Sequence, residues 1–208
     1  MVILRMAEKR IRLIAALGNP GYEYVKTRHN IAWQAIEYLD IYDQMNWTDK
    51  FSSEFASMTI ESEKIYFIKP QTYMNRSGDG IAALMNYFKI SHSEILVMHD
   101  ELELDFGTVS LKNGGGLAGH NGLRSIAANL GTRDFYRYRL GISRPPSGSN
   151  ITNYVLGGFT SEEQVQLPDY FEESARIIEK ILIHGIGNYE RKYKKFKTLA
   201  ELNTEKEE

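Results

Sequence analysis

The 208-residue chain contains no cysteine. That absence excludes disulfides, thiolate metal sites and a cysteine nucleophile, and it fits the cytoplasm. Apolar runs are short as well: none approaches the ~20 residues that a membrane-spanning helix needs. Met1 to Leu4 is too brief for a signal peptide and is followed by Arg5, Glu8, Lys9 and Arg10. Met6 to Arg10 reads equally well as the start of the protein, which would make residues 1–5 an extension. A dominant charge is also missing, since 25 basic and 27 acidic residues leave a formal net charge of −2. A polyanionic partner would therefore meet a local patch, such as Arg191 to Lys197. The histidines lack H-x-x-x-H and H-E-x-x-H spacing, and no serine lies in a G-x-S-x-G elbow.

What is present suits one core. With 42% hydrophobic and 25% charged residues, residues 1–208 read as a single globular domain, residues 1–10 as an N-terminal extension and 198–208 as a polar, disordered tail. Strands and helices alternate, which predicts an α/β fold. Ile11 to Leu17 and Ile95 to Met98 have too few polar residues for half-exposed strands and are expected at the centre of a sheet covered on both faces. Phe55 to Ile60 and Lys64 to Lys69 flank Glu61-Ser62-Glu63 as a hairpin, and Val109 to Lys112 and Tyr136 to Ile142 read as further strands. Helical spacing appears from Ile31 to about Asp40, over Ile81 to Phe88, over Asn121 to Leu130 with Gly131 as terminator, and from Leu167 to Leu182 with Gly185 as cap.

Residues with chemistry gather where strands end. His29 follows the Gly18-Asn19-Pro20-Gly21 loop, Asp100 follows the apolar strand Ile95 to Met98, and Asn75 and Asn121 open helices. In open α/β sheets the ligand crevice lies beyond the carboxyl ends of the strands. A histidine can take a proton from water near neutral pH, and a carboxylate on its other ring nitrogen fixes the tautomer. Asparagine amides donate to a carbonyl oxygen gaining charge and accept from a peptide N–H. The set suits a neutral, amide-like substrate with water as nucleophile, and needs no metal. Taken singly, each residue also has a structural reading: Asn19-Pro20-Gly21 as a turn, Asn75 and Asn121 as helix caps, and His99-Asp100 as a strand end. Gly114 to Gly119 resembles a phosphate loop, but it lacks the Lys-Ser/Thr of a P-loop and the acidic residue of a dinucleotide site.

Six blocks occur in order: Gly18-Asn19-Pro20-Gly21 with Glu23-Tyr24; Thr27-Arg28-His29-Asn30; Lys69 to Gly78; His99-Asp100-Glu101-Leu102; Gly119-His120-Asn121-Gly122-Leu123; and Tyr138-Arg139-Leu140-Gly141-Ile142. Together they resemble the bacterial peptidyl-tRNA hydrolase family from about Ile11 to Phe196. Leu117-Ala118 in the glycine loop and Ser143-Arg144 depart from the usual pattern. The resemblance implies a mixed, largely parallel twisted sheet with helices on both faces, of the phosphorylase/hydrolase kind. It implies cleavage of the ester between peptide and tRNA, without cofactor or metal, by a cytoplasmic monomer whose partner is peptidyl-tRNA. His29 would then be the general base and Asp100 its orienting partner, while Asn19, Asn75 and Asn121 hold the peptide and the developing oxyanion. Tyr24, Tyr73 and His120 would line the substrate site, and Lys112 and Arg139 would clamp the tRNA 5′ phosphate. For Arg139 the alternative is a salt bridge on the outer face of the sheet. A non-catalytic RNA-binding relative, or a peptidase or phosphorylase on a similar sheet, are the rival classes.

Overall fold

The computed structural model describes residues 10–187, 189–190, 192–193 and 196–197. The expected tail, most of the expected extension, and Arg191, Lys194 and Lys195 of the basic cluster lie outside them. The strands are β1 (Leu13–Ala16), β2 (Thr48–Lys50), β3 (Ser53–Ile60), β4 (Glu63–Pro70), β5 (Ile95–Glu101), β6 (Thr108–Asn113), β7 (Tyr136–Gly141) and β8 (Phe196–Lys197). The helices are α1 (Ile31–Ile36), α2 (Ser77–Phe88), α3 (Asn121–Leu130), α4 (Ile151–Val155) and α5 (Ser161–His184). All eight strands join one sheet in the order β2-β3-β4-β1-β5-β7-β6-β8. Its centre, β4-β1-β5-β7, is parallel, and its margins are antiparallel.

The central strands are buried on both sides, as their unbroken apolar runs require. Successive residues of β1 enter opposite cores: Leu13 and Ala15 pack with residues of α2 and α3, while Ile14 and Ala16 pack with α1 and α5. Helices thus cover both faces. In the β3–β4 hairpin Ile60 pairs with Glu63, which leaves Glu61 and Ser62 as a two-residue loop with both φ positive. That is the geometry matching the strands' right-handed twist.

Four elements differ from their sequence pattern. The α-helical part of α1 stops at Ile36, and the chain tightens through three-residue bonds from Tyr38 N–H to Ala35 and from Leu39 N–H to Ile36. Helix α5 begins at Ser161, six residues before the apolar stripe, because Thr160 and Glu163 form a capping box. Pro168 lies inside it. Strand β2 and helix α4 had no periodic signal, being three exposed residues and five residues long.

Helices α2 and α3 touch at Gly78, whose N–H donates to Ser125 Oγ at 3.0 Å. A Cβ there would lie 2.4 Å from the Ser125 carbonyl oxygen. Gly78→Ala is expected to cost ~1–3 kcal/mol through overpacking, read as a lower midpoint in urea unfolding.

Candidate active site

The carboxyl ends of β4, β1, β5 and β7 face one rim, and each sends its following loop there. A cavity of about 480 Å³ lies at that rim, lined by Asn19, Tyr24, His29, Tyr73, Asn75, Asp100, His120 and Asn121 among others. All eight residues expected for catalysis and substrate binding are therefore brought together. Lys112 and Arg139 are not among the lining residues.

Asp100, at the end of β5, is 4% exposed. Its Oδ1 lies 2.7 Å from His29 Nδ1 and 3.0 Å from His120 Nε2. Burial opposes its charge, but the two imidazoles outweigh burial and hold the carboxyl well below the usual carboxylate range. His120 is the N-cap of α3, its Nδ1 accepting the N–H of Gly122 at 3.1 Å and that of Leu123 at 3.4 Å. An accepting Nδ1 carries no proton, so Nε2 carries one and donates it to Asp100. His29 likewise donates from Nδ1, which leaves Nε2 as the basic nitrogen of a ring that lines the cavity. Burial pushes the His29 pKa down, yet the charge and hydrogen bond of Asp100 raise it above the ordinary value of 6.5.

Asn19 is fixed by three bonds. Its backbone N–H donates to Asn30 Oδ1 at 2.8 Å, its carbonyl accepts from Asn30 Nδ2 at 2.9 Å, and its side-chain Oδ1 accepts the Met74 N–H at 2.7 Å. The last bond sets the amide's orientation and leaves the Nδ2 donors for a ligand. Asn75 follows Met74 in a short 3-10 turn, and Asn121 starts α3, both exposed at the rim. Tyr24 and Tyr73 meet edge to face with centroids 6.4 Å apart.

Two neighbours lay outside the expected site. His99 is fully enclosed, bonded through Nδ1 to the Asp100 carbonyl at 2.7 Å, and burial pushes its pKa well below the ordinary value. Its ring packs edge-on against His120 at 5.0 Å. Arg137 lines the cavity and is 2% exposed; Nη1 donates to the Gly116 carbonyl at 2.8 Å, and Nε and Nη2 have no hydrogen-bond partner among the described residues. Only its position two residues before Arg139 could have suggested it. Lys112 pairs opposite Arg137, and Ser110 opposite Arg139, so alternation puts all four on one face of β6–β7. Arg139 is ion-paired, with Nε donating to Glu101 Oε2 at 2.8 Å and Nη1 reaching Ser110 Oγ at 3.3 Å; the partner is a buried carboxylate lining the cavity rather than one on the sheet's outer face.

One nitrogen or oxygen from each of His29, Asp100 and His120 lies within 4.8 Å of the others, close enough for a cation. The hydrogen bonds already described join these three side chains to one another and use the second nitrogen of His120 for the helix cap.

Comparisons with known proteins point to one family. A family model described as peptidyl-tRNA hydrolase matches residues 13–201. A peptidyl-tRNA hydrolase of Treponema pallidum is 49% identical over 162 residues, 76% of this chain and 80% of that protein. One of Sorangium cellulosum is 44% identical over 176 residues, 83% and 79% of the two chains. The crystal structure of peptidyl-tRNA hydrolase from Acinetobacter baumannii superposes with a TM-score of 0.82 at 33% identity, over 92% of this chain and 98% of that one.

Because a base acts only when unprotonated, activity is expected to fall on acidification with a midpoint above 6.5. Asp100→Asn removes the charge that raises the His29 pKa and leaves burial acting alone. The acidic limb of kcat/KM should then move to lower pH, with kcat reduced about 10²–10⁴-fold; a pH–rate profile of both proteins reads the shift.

Proposed function

The chain belongs to the peptidyl-tRNA hydrolase family, and from that membership we propose that it hydrolyses the ester joining a peptide to the terminal ribose of tRNA. The observation that carries this reading is the 2.7 Å contact between His29 Nδ1 and Asp100 Oδ1, on a ring sharing a cavity with three asparagines. His29 Nε2 takes a proton from water as the oxygen attacks the ester carbonyl. Asn19 Nδ2 donates to the resulting oxyanion, while Asn75 and Asn121 hold the peptide's amides between Tyr24 and Tyr73. Collapse of the tetrahedral intermediate breaks the bond to the ribose oxygen, which leaves with the proton from His29. The products are tRNA with a free ribose hydroxyl and a peptide carboxylic acid, which loses its proton to solvent. Asp100 stays ionised throughout and steadies the imidazolium. His120 keeps Asp100 in place from the other side.

Lys112 and Arg139 serve as the clamp for the tRNA 5′ phosphate, with Arg137 as a third cation beside them. Glu101 offsets one of these charges, and the remainder suits a phosphate. The protein acts as a cytoplasmic monomer, and it recycles tRNA from peptidyl-tRNA released by ribosomes.

His29→Ala should lose ~10²–10⁴-fold in kcat on a model N-acyl-aminoacyl-tRNA while substrate binding survives; near-normal turnover would end the assignment. Lys112→Ala or Arg139→Ala should weaken binding and reduce the slope of log Kd against log salt by about one counterion each. An unchanged slope removes that residue from the clamp.

A further inference from the structure

His29 stands between two side chains that both tie its turn to other parts of the site. Asn30, on one side, holds the backbone of Asn19 through two hydrogen bonds. Arg28, on the other, is 6% exposed and reaches across to the junction of α4 and α5. Its backbone N–H donates to the Gly157 carbonyl at 3.0 Å, Nη1 donates to the Gly158 carbonyl, and Nη2 donates to Glu163 Oε2 at 2.7 Å. Its guanidinium carbon lies 4.3 Å from the ring centre of Tyr154 and 5.1 Å from that of Phe159. Thr27 and Gly158 add a single antiparallel bridge.

What Arg28 holds is the opposite wall of the cavity. Ile151, Thr152, Val155 and Leu156, from α4 and the residue after it, line the same space as His29. A five-residue helix has no stability of its own. Besides the burial of Val155 in the core and the Asn150 cap, its anchors include the Arg28 contacts and the bond from Tyr154 Oη to the Ile142 carbonyl at 2.6 Å. We propose that Arg28 is a positioning residue, a strut that sets the distance between the turn carrying His29 and the α4 wall, and hence the width of the cleft in which the ester meets its base. A planar guanidinium donates to two acceptors while lying flat between two rings, whereas a lysine ammonium satisfies at most part of that arrangement. The kinetic consequence rests on the hydrolase reading above; the mechanical link does not.

Hydrogen exchange on Arg28→Lys tests the link without reference to activity. Two amides report on its ends: Asn19 N–H, bonded to Asn30 Oδ1, and Leu156 N–H, bonded to the Thr152 carbonyl. Both should lose protection together relative to the amides of β5, which report global opening. Loss at Leu156 alone would make Arg28 a helix anchor only and overturn the proposal, as would unchanged exchange at both. If Arg28→Lys fails to fold, Glu163→Gln takes its place, because glutamine preserves the capping box while weakening the grip on Arg28. With peptidyl-tRNA as substrate, below the unfolding range, kcat should fall ~10–100-fold and KM rise with it. A residue that only stabilises the fold would leave both constants unchanged. Hydrolysis by the unaltered protein, lost in His29→Ala, reports on the hydrolase reading separately.

Discussion

A carboxylate buried at the end of a central strand must find hydrogen-bond donors, and Asp100 finds them in two imidazoles. One oxygen accepts from both His29 and His120, so the charge that burial penalises is held by groups whose protons are thereby fixed in place. The protonation pattern of the site follows from that arrangement. His29 must present Nε2 because Nδ1 is committed, and His120 must cap α3 through Nδ1 because Nε2 is committed. The entry to α3, the tautomer of His29 and the charge state of Asp100 are thus one constraint rather than three. His99, enclosed behind them with a low affinity for protons, adds a neutral wall instead of a competing charge.

The amide network shows the same economy. Asn30 saturates the backbone of Asn19, and the Met74 N–H saturates one end of the Asn19 side chain. Loops after β1 and β4 are locked together before any ligand arrives, and the donors left over point to the cavity by elimination. Preorganised donors of this sort need no rearrangement when charge develops on a substrate oxygen. Around this rigid half, the α4 wall depends on contacts from a distant turn. The cavity accordingly combines a fixed side carrying His29 and Asp100 with a side whose position, on the proposal above, is set through Arg28.

Much of the fold was legible because its signals were local. Continuous apolar runs identified β1 and β5, helical stripes identified α2, α3 and α5, and Gly131 with φ 69° ends α3 as its sequence position suggested. Elements without periodicity escaped: β2 is wholly exposed, and α4 is too short to show a stripe. Tyr193, within the basic cluster, is buried and stacks on Tyr189. Among site residues, His29, Asp100 and the asparagines could be named because their types suit one chemistry. Arg137 and Arg28 could not, since nothing in a lone arginine tells whether its charge will face water, a carboxylate or a pair of aromatic rings.

The amino-acid sequence by itself determined the fold class and the family and named the candidate reacting groups, because strand and helix patterns and the six ordered blocks are properties of neighbouring residues. Only the tertiary structure decided which of those groups touch. Asp100 lies 71 positions from His29 and 20 from His120, and the tautomers follow from which donors reach which acceptors across those separations. Whether Arg139 is free or paired, and which wall Arg28 supports, were likewise settled by strand register and loop packing. Hydrogen bonds and ion pairs act over a few ångströms, and the chain brings such partners together only by folding.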